Sequence, residues 1–168
     1  ADAIQGNTEV KGNLTIKGNF VPRGALSSNT NNVIIGSSAY DNGTSGDRNV
    51  VIGENAAGGG TMTGAVDDSV LVGYRAGYKL IDGFYNVYIG SNAGYNNTTD
   101  NQNVGIGYQA LYTDGGEYGG NTAIGNQALM NQSGSIGGRM ENTAVGAGAG
   151  GNLTTAVRST FVGTNAGI

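Results

Sequence analysis

Any chemistry in this chain must be done without histidine or cysteine, since the 168 residues contain neither. That removes His- and Cys-based catalysis, disulfides and the His/Cys class of metal site. Two carboxylate groupings remain as candidates: Asp67-Asp68, and Asp114-Gly-Gly-Glu117. Calcium takes six to eight oxygens; either stretch supplies only some of them, and a solvated loop is the preferred reading. No spacing within the chain suggests a glycosidase-type acid pair. Gly146-Ala147-Gly148-Ala149-Gly150-Gly151 spells G-x-G-x-x-G, but no acidic residue follows Glu141. A dinucleotide site needs one about 20 positions on, so these glycines belong to a repeat. Tyrosine gives the most regular pattern: Tyr78, Tyr95 and Tyr112 recur at one constant interval, with Tyr74 and Tyr108 nearby. Two readings fit them, a structural aromatic ladder and a platform on which sugar rings stack.

These residues ride on an internal repeat. The pattern Asn/Ser-Val/Thr-x-Ile/Val-Gly occurs eight times, beginning at Asn32, Asn49, Ser69, Asn86, Asn103, Asn121, Asn142 and Ser159. It closes at Gly36, Gly53, Gly73, Gly90, Gly107, Gly125, Gly146 and Gly163, and the third position after each of these is alanine. The intervals are nearly constant, with longer ones from Gly53 to Gly73 and from Gly125 to Gly146. β-Branched residues at alternate positions suit a short strand. The glycine can take positive φ and turn the chain, and the small alanine suits a tight second pass. Asn, Gly, Ser, Thr and Asp fill the rest, and no stretch has helical apolar spacing. The pattern predicts an all-β protein: a parallel β-roll or β-solenoid of about eight 17–21-residue coils over 32–168. The longer intervals mark loops at 54–68 and 130–141, which carry Asp67, Asp68 and Arg139, candidate ligand-binding residues together with Tyr74, Tyr78, Tyr95, Tyr108 and Tyr112. The segment 1–31 differs: the tandem hexads Val10–Thr15 and Ile16–Val21 alternate apolar and polar before Pro22, as a short β-strand shaft segment would.

Both faces of each strand are apolar. Val33, Ile35, Val50, Ile52, Val87, Ile89, Val104 and Ile106 share one face, expected to point into the coil. The middle position holds Ile34, Val51, Leu71, Tyr88, Gly105, Ala123, Ala144 and Phe161, none charged. A strand apolar on both sides is buried on both, so the middle residues Ile34, Val51, Leu71, Tyr88, Ala123, Ala144 and Phe161 are expected to face another copy of the chain in a closed ring.

The Asn/Ser-Val-x-Ile-Gly-x-x-Ala unit resembles the head repeat of trimeric autotransporter adhesins, whose heads are left-handed parallel β-rolls packed three about one axis. Units such as Asn121-Thr122-Ala123-Ile124-Gly125-Asn126-Gln127-Ala128-Leu129 look still more like phage tail-fibre segments, and the hexads at 10–21 look like the thin trimeric shafts of such fibres. Adhesin repeats are shorter than the intervals between these glycines, which favours the fibre. The resemblance implies a non-enzymatic homotrimer in a virion, structural and binding a host surface glycan or protein through its loops, with a bacterial-surface adhesin head as the alternative. Eight hexads such as Ile89-Gly90-Ser91-Asn92-Ala93-Gly94 also fit the hexapeptide rule of solenoid acyltransferases. Those enzymes run the hexad in tandem and commonly use a histidine base, and neither feature is here. A fibre-borne glycan hydrolase is the other enzymatic reading kept. No cofactor or metal is implied. The net charge of −4 and isoelectric point near 4.5 argue against nucleic acid, and no apolar stretch is long enough to insert in a membrane.

Overall fold

A computed structural model describes residues 31–41, 46–60, 64–114, 119–132 and 139–168. The hexads at 10–21 and Glu117 lie outside the described residues, and of Asp114 only the backbone is described. Twelve short strands follow one another: β1 (Val33–Ile35), β2 (Val50–Ile52), β3 (Val66–Asp67), β4 (Val70–Val72), β5 (Gly83–Phe84), β6 (Val87–Ile89), β7 (Val104–Ile106), β8 (Thr113–Asp114), β9 (Thr122–Ile124), β10 (Asn131–Gln132), β11 (Thr143–Val145) and β12 (Thr160–Val162). No helix occurs among the described residues. The eight repeat strands form one parallel sheet in the order β1-β2-β4-β6-β7-β9-β11-β12, and β3-β5 and β8-β10 pair as two small parallel sheets. Every partner is in register, Val33 on Val50 and Val50 on Val70 onward to Thr143 on Thr160. The chain is therefore a β-solenoid of about seven turns.

The motif glycine closes each strand because nothing else fits there. Its φ lies between 121° and 138° in all eight copies, a region essentially reserved for glycine. A Cβ on Gly36 would also sit 2.5 Å from the carbonyl oxygen of Gly53, the next glycine along the axis. Beyond it the chain turns inward through left-handed residues. Ser38, Asn55, Arg75, Asn92, Gln109, Gln127 and Asn165 have φ between 50° and 57°, and Leu111 and Leu129 follow at 50° and 48°. Left-handed geometry costs a leucine roughly 1–2 kcal/mol, offset here by complete burial of both side chains.

That inward turn reverses the expected assignment of strand faces. The middle residues Val51, Leu71, Tyr88, Ala123 and Ala144 are wholly buried inside the coil, with Ile34 and Phe161 packed against the same core. They cannot meet another copy. Val33, Ile35, Val50, Ile52, Val87, Ile89, Val104 and Ile106 face outward instead, half-buried or exposed. The reason is the width of the interior. A three-residue strand sends one side chain one way and two the other, and the coil has room for one. The alanine column closes over that residue, buried from Ala39 to Ala149, as the sequence led one to expect.

The residue after each alanine lies beside the core, and in the four coils from Leu71 to Leu129 its size is reciprocal to the strand's. Leu71 and Tyr88 face Gly77 and Gly94, whereas Gly105 and Ala123 are accompanied by Leu111 and Leu129. A Cβ on Gly94 would lie 2.6 Å from the Tyr88 ring, and one on Gly105 would lie 3.1 Å from that ring and 3.5 Å from Leu111. These four coils thus fill the interior with different pairs, as close packing requires; elsewhere the rule lapses, with Ile34 beside Tyr40 and Ala144 beside Gly150.

Candidate functional site

The asparagine that opens each repeat is a structural residue. Asn32, Asn49, Asn86, Asn103, Asn121 and Asn142, with Ser69, form a buried column along the axis. The Asn49 backbone N–H donates to Asn32 Oδ1 at 2.7 Å, and Asn103 N–H to Asn86 Oδ1 at 3.1 Å. The same link joins Asn121 to Asn103, Asn142 to Asn121 and Ser159 to Asn142. Amide nitrogens in the column reach a carbonyl of the next coil, as Asn86 Nδ2 does to Asp100 O at 2.7 Å. The side chain takes two buried backbone groups that would otherwise lack partners. Tyr88 is tied into this column: Asn97 Nδ2 donates to its hydroxyl at 2.8 Å, and that hydroxyl lies 3.4 Å from Asn86 Oδ1.

Tyr78, Tyr95 and Tyr112 stack one above another, with ring centroids 5.0 and 5.1 Å apart and planes 21° and 8° from parallel. The far face of Tyr78 lies on Gly59, where a Cβ would collide with the ring. Both faces of Tyr78 and Tyr95 are therefore occupied, and a sugar ring cannot stack on either. The geometry of the three rings is that of an aromatic ladder. Tyr74 and Tyr108 are exposed on the turns but lie two coils apart, separated by Ser91. The Arg75 guanidinium sits between the two kinds of tyrosine, 4.9 Å from the Tyr74 ring centre and 5.1 Å from that of Tyr78.

Asp67 and Asp68 are also engaged within the fold. Asp68 takes the Arg48 guanidinium in a two-pronged pair at 2.5 and 2.7 Å, and Asp67 Oδ1 accepts the Asp47 N–H at 2.6 Å. Hydrogen bonding from Arg48 holds the Asp68 carboxyl below its ordinary range. Asp47 is held low chiefly by the Asn31 backbone N–H. Burial pushes the Tyr40 phenol up to about 12, with the Asp67 charge adding to it. Among the described residues no group of three or more acidic side chains could hold a metal ion.

Of the eight candidate binding residues, Arg139 lines a cleft. The cleft has a volume of about 140 Å³ and is walled by Phe84, Asn101, Gln102, Gly119 and Arg139, drawn from four successive coils. Phe84 and Tyr85, 42 % and 55 % exposed, meet edge to face at 5.3 Å. Sequence reasoning passed over Phe84, Asn101, Gln102 and Gly119. A signal was present: the position two before each buried Asn or Ser runs Asp47, Asp67, Phe84, Asn101, Gly119, Met140, so a large aromatic and a missing side chain stand two coils apart in one file.

The second feature open to a partner is the outward face of the large sheet. Its two columns read Val33, Val50, Val70, Val87, Val104, Thr122, Thr143, Thr160 and Ile35, Ile52, Val72, Ile89, Ile106, Ile124, Val145, Val162. At about 4.8 Å per strand the strip is roughly 34 Å long, and Ile35, Ile89, Ile124, Val145 and Val162 are exposed along it. Apart from Thr122, Thr143 and Thr160 the strip is Val and Ile throughout. Comparison with protein-family models, curated proteins and solved structures found no match.

Proposed function

We propose that this chain is a non-enzymatic segment of a phage tail fibre, a homotrimer in which the outward Val/Ile strips of three copies meet about a common axis. The observation that carries the reading is the strip itself. It continues along all eight strands, carries no charge and has no covering element among the described residues. Closed symmetry is the simplest way to cover an identical strip on every copy. The number three and the fibre setting come from the likeness of the repeat to fibre and adhesin-head segments. A stacked scaffold whose successive coils differ mainly in their turns suits a virion surface, where rigid coils hold variable loops outward.

Analytical ultracentrifugation tests the assembly. The expected species is a stable trimer of the 16.9 kDa chain. Ile89→Asp puts one charge per copy into the proposed seam, a costly burial without a counter-ion, and is expected to yield a β-rich species that no longer assembles. A wild-type chain that sediments as a monomer overturns the proposal.

A further inference from the structure

The asparagine column, the tyrosine ladder and the Val/Ile strip are all accounted for by folding or assembly. The cleft beside Phe84 is not. At Gly119 the chain packs tightly on its neighbours: a Cβ there would collide with the Asn101 carbonyl and the Asn103 amide, so no side chain from this position extends over the cleft. The cleft is a recess preformed by the stacked coils, the usual condition for a ligand site.

The lining is rich in donors. Asn101 Oδ1 already accepts the Phe84 N–H at 2.9 Å, which leaves its NH₂ group as the available function. Gln102 is exposed beside it. The Arg139 guanidinium is 3.8 Å from Glu141 Oε1, while the other oxygen of Glu141 is taken by Arg158 at 3.2 Å. Glu141 thus serves two arginines, and the longer, looser contact belongs to Arg139. A planar guanidinium able to make paired hydrogen bonds matches a carboxylate. The Phe84 ring, edge to face with Tyr85, supplies apolar area to the lining, suited to the C–H face of a sugar ring. The volume of about 140 Å³ is well below the ~300 Å³ at which drug-sized sites begin; it admits one ring.

We infer that this cleft binds a single pyranose unit bearing a carboxylate, of the hexuronic or sialic acid class, with Arg139 on the carboxylate, Asn101 and Gln102 on hydroxyls and Phe84 under the ring. The inference supplies a site for the recognition half of the fibre reading and is independent of the trimer. Saturation-transfer NMR and calorimetry on the full chain test it, with methyl glucuronide and a methyl sialoside as probes and methyl glucoside as the neutral control. At least one acidic sugar is expected to bind about tenfold or more tightly than the glucoside, the scale of a charged hydrogen bond. Arg139→Gln is expected to erase that preference, and Phe84→Ala to weaken acidic and neutral sugars together. Sedimentation of each variant separates loss of the site from loss of assembly, and a monomeric wild type that keeps the preference leaves the site standing without the fibre. Neither acidic sugar outcompeting the glucoside, or an Arg139→Gln variant that retains the preference, overturns the inference.

Discussion

The two faces of the same eight strands obey different rules. The inner face varies freely, from glycine at 105 to tyrosine at 88, yet the outer face keeps to Val, Ile and Thr throughout. Inside, in the four coils from Leu71 to Leu129, a second position compensates: Leu71 and Tyr88 go with glycine after the alanine, and Gly105 and Ala123 go with leucine. Outside, no element among the described residues covers the strip. Uniform β-branched residues in register make a flat ribbon, which is what a surface needs if it is to match its own copy over seven strand spacings. Diversity on one face and monotony on the other thus distinguish a core that repacks coil by coil from a strip suited to the proposed seam.

The largest test of this contrast is at Tyr88, the bulkiest side chain wholly inside the coil. Tyr88→Ala opens a cavity and removes the hydroxyl that accepts from the Asn97 amide, and is expected to cost about 3–5 kcal/mol in chemical unfolding. The double variant Tyr88→Gly with Gly94→Leu copies the arrangement of Gly105 and Leu111 one coil later, and is expected to recover a large part of that loss. Gly94 has φ of 62°, close to the geometry Leu111 already adopts. A double variant no more stable than Tyr88→Gly alone would show that the coils are not interchangeable.

A smaller effect is expected in the buried polar column. Asn86→Ala takes from the Asn103 N–H and the Asp100 carbonyl the bond each has in the native coil, at about 1–3 kcal/mol per group left unsatisfied. Asn86→Ser should cost roughly half as much, because Ser69 shows that a hydroxyl in this column still accepts the next N–H, at 3.1 Å. Equal losses for the two variants would mean that the amide's second bond carries the stability. The smallest effect belongs to the outer face. Val104→Thr places in one column a residue that Thr122, Thr143 and Thr160 already supply, and unfolding should shift by no more than about 0.5 kcal/mol. A large shift there would mean that the seam is as finely packed as the core.

Much of the scaffold was legible because a repeat states its own period. The near-constant interval from Gly36 to Gly163 predicts coils stacked in register, the glycine its positive φ and the alanine its buried second pass. The role of asparagine was less legible. Asn, Ser and Asp are common turn residues, and nothing local separates an exposed turn asparagine from one whose amide links two coils. The tyrosine spacing predicts a ladder, but only the ring planes, within 21° and 8° of parallel, decide that its faces are filled. The cleft was hidden because its lining comes from four coils, and the decisive residue, Gly119, acts through the side chain it lacks.

By itself the sequence determined the parallel solenoid and the existence of two apolar strand faces; it led one to expect about eight coils, and the eight stacked repeat strands make about seven turns. It could not say which face is inside. Alternation with period two is unchanged when the faces are exchanged, and here both faces are apolar, so hydrophobicity cannot break the tie. The direction in which the chain curls breaks it, set by left-handed residues such as Arg75 and Leu111 that no propensity scale assigns to that conformation. Once the curl is set, an interior one side chain wide admits Leu71 and excludes Val70 and Val72, a matter of volume settled only when all the coils are stacked.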